Sequence, residues 1–354
     1  MEIEDFELER WFATYEHKSD IMLAESGIRS LNAERFELDP GKLGYVIPTN
    51  GDPEFRSEIG ERYGKEKDEV LFTCGTQEAN FLVFLSLLDR HSHAVVVTPT
   101  YQALHSVPRA FGQVTEVYLS PPDWELSVKE VEDAVRDETE LIVINNPNNP
   151  TGRYHPKKKI EALLEIAEDE DAYLLCDEVY RLLVEDPIPS VAEMSEKGIS
   201  TTSLTKSYGL AGARFGWIVG PKKVIEKTWR WKDYTTISPT KIGQYIAKQA
   251  VGELEDDILA ENRALADKNR ELVQKFIDKH DLDWYKPVGV NGFVTIPEGF
   301  EGSVDFCRGL VEDQSVVLAP GKLFGFDGYF RIGFGLETYK LKEGLSRVDE
   351  YISE

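Results

Sequence analysis

Ser203-Leu204-Thr205-Lys206-Ser207-Tyr208-Gly209-Leu210-Ala211-Gly212-Ala213-Arg214 sets one lysine among hydroxyls, with an arginine eight residues on and no other charge between them. A lysine in such a segment is poorly solvated. Desolvation disfavours the ammonium, so the expected pKa is lowered and the amine becomes a better nucleophile toward a carbonyl. The arginine supplies a fixed cation close by for an anionic group. Together they suit an aldehyde cofactor that carries a phosphate.

Around this stretch, from about Val70 to Gly220, short apolar runs alternate with amphipathic ones. The runs are Val70–Thr73, Ala94–Thr98, Val114–Leu119, Leu141–Asn145, Ala172–Cys176, Thr201–Leu204 and Phe215–Val219. Helical spacing marks Gln77–Leu88, Leu126–Val135 and Pro156–Ala167. The alternation predicts an α/β fold with a largely parallel sheet and helices on both faces. Residues 1–20 read as an acidic helix with Phe6, Trp11, Phe12 and Tyr15 on one side. Beyond Pro239, a long charged helical region from Ile242 to Lys279 leads into a smaller α+β part, which includes the turn at Lys286-Pro287-Val288-Gly289 and the run Ser315–Leu318.

Ligand groups in such sheets gather at the carboxyl ends of strands, where the polar clusters of this chain stand. Gly75-Thr76-Gln77-Glu78 opens a helix, and backbone N–H groups there suit a phosphate; a plain strand-to-helix turn is the alternative. Tyr101 follows the second run and offers a face to a flat ring, or simply a core aromatic. Asn145-Asn146-Pro147-Asn148-Asn149-Pro150-Thr151-Gly152 is either turn chemistry or a loop in which Asn149 offers an amide donor. Asp177 ends an apolar strand, where a buried charge is costly unless paired. A protonated pyridine nitrogen would pair it, and Tyr180, three residues on, would face the same ring; a helix-capping aspartate is the alternative. Arg331, inside Tyr329-Phe330-Arg331-Ile332-Gly333-Phe334, matches a carboxylate as a bidentate fork, or else makes a structural salt bridge. No G-x-G-x-x-G or Walker pattern supports nucleotide binding.

The chain has 354 residues, 41% of them hydrophobic, with six tryptophans, which suits two packed domains or one large α/β unit. Its formal charge of -24 opposes contact with nucleic acid and with anionic membranes. Three scattered cysteines form neither a disulfide framework nor a metal spacing, and they read as small buried side chains. His91-Ser92-His93 reads as a solvated loop, with no third ligand nearby for a metal. The longest apolar run, Phe81 to Leu88, is too short to cross a bilayer. The acidic opening Met1-Glu2-Ile3-Glu4-Asp5 is the reverse of a signal peptide, so the expected location is cytoplasmic.

Taken together, these motifs resemble the fold-type I enzymes dependent on pyridoxal 5'-phosphate (PLP), within the class I/II aminotransferase family. The resemblance runs from Ser26-Gly27 to Arg331, with the motifs in the family's order. It implies a large domain at 46–240, an N-terminal arm and part of the small domain at 1–45, and an interdomain helix with the small domain at 241–354. It implies Lys206 as the covalent anchor of PLP, Asp177 on the ring nitrogen, Tyr180 and Asn149 on the phenolate, and Tyr101 stacked on the ring. Gly75, Thr76, Gln77, Ser203 and Arg214 would hold the phosphate. Arg331 would take the substrate carboxylate, with Asn149 and the backbone of Gly27 beside it.

The segment Leu43-Gly44-Tyr45-Val46-Ile47-Pro48-Thr49-Asn50-Gly51 resembles the one that donates a tyrosine to a partner's phosphate. It is a residue longer than the family's pattern between Tyr45 and Gly51. That assignment of Tyr45 implies a homodimer with shared active sites. The implied activity is ping-pong transfer of an amino group between an L-amino acid and a 2-oxo acid, with closure of the small domain. Two other readings stand beside it. One is a non-transaminating PLP enzyme of the same fold, a decarboxylase, β-lyase or cyclase, since Phe6 to Gly27 resembles the capreomycidine synthase branch. The other is a non-catalytic effector module of the kind fused to a DNA-binding domain. The acidity of the chain and the little length ahead of residue 20 oppose that second reading.

Overall fold

The structure is a computed structural model that describes residues 2–353; Met1, at the head of the acidic opening, lies outside them. Its strands are β1 (Ile21–Met22), β2 (Val70–Thr73), β3 (His93–Thr98), β4 (Gln113–Tyr118), β5 (Thr139–Asn145), β6 (Tyr173–Asp177), β7 (Gly198–Ser203), β8 (Gly216–Val219), β9 (Asn291–Thr295), β10 (Val316–Val317), β11 (Ala319–Pro320) and β12 (Tyr329–Gly333). Seven of them make one sheet in the order β2-β8-β7-β6-β5-β3-β4. The pairs from β4 to β7 are parallel, as expected from the alternating runs. Strand β8 runs against both β7 and β2, which hydropathy alone does not reveal.

Period-two packing explains why the runs read as continuously apolar. On β5, Ile142 and Ile144 enter one core while Leu141 and Val143 enter another. Strand β3 divides its Val95 and Val97 from Ala94 and Val96 in the same way. Both faces of the sheet are covered, so neither face carries a polar alternation. A third cluster holds Phe55, Phe72 and Phe215, with ring centroids 4.9 to 5.9 Å apart.

Two sequence expectations change. His93 is buried on β3, its Nδ1 2.7 Å from Thr139 Oγ1 and its Nε2 2.9 Å from Thr115 Oγ1; only His91 belongs to the exposed turn. The long helical region after Pro239 is two helices, Lys241–Ala250 and Glu255–Lys279, broken at Gly252.

Residues beyond 280 build a three-stranded antiparallel sheet, β11-β12-β9, covered by the helices Ser303–Gln314 and Thr338–Ser353. Fully buried Trp124 joins it to the large sheet, with ring centroids 5.4 Å from Phe293 and 5.1 Å from both Phe326 and Tyr329. The loop after β5 is locked to the same unit: Asn291 Nδ2 donates to Pro150 O at 3.1 Å.

The N-terminal segment is threaded through this junction. Strand β1 pairs in parallel with β10, Gly333 N donates to Leu23 O at 2.6 Å, and Arg29 N donates to Gly335 O at 2.7 Å. Ile28 N reaches Lys206 O at 3.4 Å. Residues 23–29 therefore lie between the end of β12 and the lysine loop. Two glycines permit that approach. A Cβ on Gly333 would stand 1.8 Å from Glu25 O, and one on Gly335 would stand 2.1 Å from Gly27 O.

Gly333→Ala should accordingly lower stability by about 1–3 kcal/mol through overpacking. Gly328→Ala, where the added methyl meets open space, should stay within about 0.5 kcal/mol. Urea unfolding of the two variants checks the pair, and equal midpoints would contradict the threading argument.

Candidate active site

Five strand ends converge on one cavity of about 260 Å³. Thr76 and Gln77 follow β2, Tyr101 follows β3, Asn149 follows β5, Asp177 closes β6 and Ser203 closes β7; all line the cavity, with Lys206, Tyr180, Arg214 and Arg331.

Asp177 is 6% exposed, at the end of a fully buried strand. Its Oδ2 accepts from Asn80 Nδ2 at 2.8 Å and its Oδ1 from Val179 N at 3.2 Å. Asn80 is itself oriented by Thr201 Oγ1, which donates to Asn80 Oδ1 at 2.6 Å. Burial pushes the Asp177 carboxyl up to about 6, against the two hydrogen bonds that favour its charged form. The neighbouring strand end is tied to it, since Asn145 Nδ2 donates to Asp177 O at 2.8 Å and Asn145 Oδ1 accepts from Asn149 N at 2.7 Å.

Lys206 departs from its sequence expectation. Burial is the largest single influence and acts to lower its pKa, but the Glu25 carboxylate and Tyr180 together outweigh it and hold the amine above its ordinary value. Glu25 Oε1 and Ser26 Oγ each stand 3.1 Å from Lys206 Nζ. The same ion pair holds the Glu25 carboxyl below its usual range. With no aldehyde attached, this lysine is therefore held as an ammonium. Gly27 is close as well, since a Cβ there would stand 3.3 Å from Lys206 Cδ.

Arg331 is 1% exposed on β12. Its guanidinium donates to Asn149 Oδ1 at 2.9 Å and to Ala24 O at 2.6 Å, while Nε has no partner among the described residues. With Asn149 Oδ1 turned to the arginine, the Nδ2 of that amide faces away from it. Tyr101 donates its hydroxyl to Glu9 Oε1 at 2.9 Å and packs 5.1 Å from Phe6, ring centroid to ring centroid.

The backbone around the helix Thr76–Leu87 is shaped for close approach. Gly75 caps it at φ +90°, and a Cβ there would stand 2.8 Å from the guanidinium of Arg214. Arg214 takes a left-handed conformation at φ +48° and donates to Ala211 O and Cys74 O at 3.0 and 3.3 Å. Thr76 Oγ1 is buried without a partner among the described residues.

Tyr45 does not join this group. It is 68% exposed, with Leu43 and Ile47, in an apolar patch away from the cavity. Sequence reasoning passed over Asn80, Glu25, Ser26, Glu9 and Glu16. Two signals were available: Glu25-Ser26 directly precedes Gly27, and Asn80 lies one helical turn after Thr76. Among the described residues there is no group of acidic, histidine or cysteine side chains that could hold a metal ion, and no helix is long and apolar enough to cross a membrane.

This arrangement is that of an enzyme that transfers a chemical group, and a profile of the family described as aminotransferase class I and II matches residues 17–348. The chain belongs to that family. It is 29% identical over 335 residues to aromatic-amino-acid aminotransferase 2 of Thermococcus litoralis, covering 90% of this chain and 86% of that relative. It is 28% identical over 365 residues to capreomycidine synthase of Streptomyces vinaceus, covering 98% and 92%. Among solved structures, a PLP-dependent aminotransferase from Streptococcus suis superposes with a TM-score of 0.93 at 31% identity, covering 100% of this chain and 98% of that one.

The raised Asp177 pKa makes a prediction for the cofactor-free protein. Unfolded, the carboxyl titrates near 3.8; folded, near 6, so the folded state binds more protons between those values. Stability therefore falls as pH rises through that window. Asp177→Asn should raise stability by about 2–3 kcal/mol at pH 7 and by little at about pH 4. Urea unfolding at both pH values measures this, and a pH-independent difference would overturn the burial argument.

Proposed function

We propose that this chain is a PLP-dependent aminotransferase that moves an amino group between an L-amino acid and a 2-oxo acid by a ping-pong mechanism. The observation that carries the reading is that Lys206, Asp177 and Arg331, from three distant segments, line one cavity. The residues fit the cofactor. Thr76 Oγ1 is a buried hydroxyl without a partner among the described residues, and the missing side chain of Gly75 lets the Arg214 guanidinium come close to that helix N-terminus, where a phosphate would sit. Asp177 is a buried carboxylate that a ring cation would satisfy.

Bound PLP supplies an electron sink that acidifies the Cα–H bond of an attached amino acid. The chain does the rest. Asp177 would hold a proton on the ring nitrogen, and Tyr180 with Asn149 Nδ2 would offer hydrogen bonds to the phenolate oxygen. Tyr101 would cover the ring. Gly75, Thr76, Gln77, Ser203 and Arg214 would hold the phosphate. Arg331 would bind the substrate α-carboxylate beside the backbone of Gly27. Lys206 would anchor the cofactor, and its Nζ would take the Cα proton and later return it, acting as base and then acid.

In this reading residues 1–45 form the arm and part of the small domain, 46–240 the large domain, and 241–354 the interdomain helix with the small domain. The protein works as a homodimer in which Tyr45 reaches the partner's phosphate. The exposed apolar side chains Leu43, Tyr45, Ile47, Tyr234, Ile237 and Ile242 support such an interface.

One observation favours a second reading, a PLP-dependent cyclase. The match to capreomycidine synthase spans 98% of this chain, against 90% for the aromatic-amino-acid aminotransferase. Stoichiometric 2-oxo acid in a single half-reaction distinguishes transamination from cyclisation.

Lys206→Ala should abolish the visible absorbance of bound cofactor and lower turnover about 10³-fold or more while leaving the fold intact by circular dichroism. An unchanged spectrum would remove the lysine from this role. Arg331→Lys should raise KM for every amino donor about 10–100-fold, because a point charge replaces a bidentate fork. A change confined to kcat in steady-state kinetics would speak against carboxylate binding there.

A further inference from the structure

The helix Glu7–Tyr15 and the turn after it lay an acidic edge along the cavity. Glu9, Phe12 and Glu16 are spaced three and four residues apart, which puts side chains on one helix face, and all three line the cavity. Glu25 adds a third carboxylate from the threaded loop. The cations of the cavity are all engaged by the proposed chemistry: Lys206 by the aldehyde, Arg214 by the phosphate and Arg331 by the α-carboxylate. Within one protomer, among the described residues, no lining cation remains for a distal carboxylate. The adjoining opening shares Glu16 and Glu25; its Asp20 and Glu337 are paired with Arg347 and Lys340, at 2.9 and 3.6 Å, and Arg29 lines it as well.

A second observation, the state of Arg331, points to a ligand on this edge. Its guanidinium is buried with Nε unpartnered, and its Cζ lies 5.8 Å from the centre of the Phe12 ring, which stands between the two helix acids. A carboxylate held there would start its side chain beside Phe12, running toward Glu9 and Glu16. An aromatic face flanked by carboxylates attracts a cation through the ring quadrupole and through charge-assisted hydrogen bonds. A second carboxylate on the ligand would meet like charge.

We propose that the amino donor carries a cationic side chain, an amine or guanidine, and that Glu9 and Glu16 are the residues that select it. The proposal rests on the aminotransferase reading above. Glu9 keeps one oxygen on the Tyr101 hydroxyl, which leaves the other for the donor.

The test uses holoenzyme loaded with PLP. Calorimetry compares 5-guanidinopentanoate, which carries both charges but no α-amino group, with glutarate, which carries two carboxylates. The guanidino acid should bind about 10-fold more tightly or better, and that preference should shrink several-fold in Glu16→Gln and in Glu9→Gln and with added salt. Arginine, lysine and ornithine should likewise change the absorbance of the bound cofactor at lower concentration than aspartate or phenylalanine. Equal or tighter binding of glutarate, or a preference that both variants leave intact, overturns the proposal. If aspartate or phenylalanine reacts best, the donor class is wrong while the aminotransferase reading stands. If no amino acid alters the cofactor's spectrum, that underlying reading fails and the donor assignment fails with it.

Discussion

A carboxylate buried at the end of an apolar strand is the constraint around which this molecule is arranged. Asp177 sits where solvent cannot compensate its charge, and its surroundings go only part of the way. Asn80 and the backbone of Val179 donate to it, Thr201 orients Asn80, and Asn145 clamps the next strand end to the same residue. Apart from Val179, which follows Asp177 in the chain, each of these partners comes from an adjacent strand or from the helix after β2. The register of the central strands, with Asn145 opposite Asp177 and Asp177 opposite Thr201, is therefore also the register of the site. In the function proposed above, a cationic ring nitrogen would complete what the protein leaves unsatisfied. The same incompleteness lets a ligand stabilise the fold while the empty state is held at some expense.

The large sheet was legible in the sequence because both its faces are covered. Runs such as Leu141–Asn145 are apolar throughout, and their polar terminators fall where the chain leaves the sheet. Asp177, Asn149 and Lys206 stood out for the same reason: charge and amide groups are conspicuous at the ends of apolar runs. The reversed direction of β8 was not legible, since an antiparallel strand buried on both faces has the same hydropathy as a parallel one. Nor was the break at Gly252, because a single glycine does not interrupt helical periodicity enough to be read as a stop.

The functional groups that sequence reasoning missed share a different cause. Glu25 and Ser26 meet Lys206 across 181 and 180 residues of chain, and Tyr101 meets Glu9 across 92. Glutamates in an acidic opening segment read as solvated surface, and Glu9, Glu16 and Glu25 do remain exposed; it is the threading of residues 23–29 that sets Glu25 beside Lys206. The expectation of a lowered lysine pKa failed for that reason. Desolvation was anticipated correctly, and the neighbouring carboxylate that reverses its effect was not visible.

The threading of the N-terminal segment has a practical corollary. Helix Glu7–Tyr15 lines the cavity, and the residues ahead of it are tied to the helix Ala103–Phe111, where Glu4 meets Ser106 and Asp5 O accepts from Gln102 Nε2. A purification tag or fusion partner joined ahead of them would load the segment that holds this lining helix in place. The same appendage placed after residue 353 would leave that attachment untouched, so the choice of terminus bears on whether a recombinant preparation reports the protein's own selectivity.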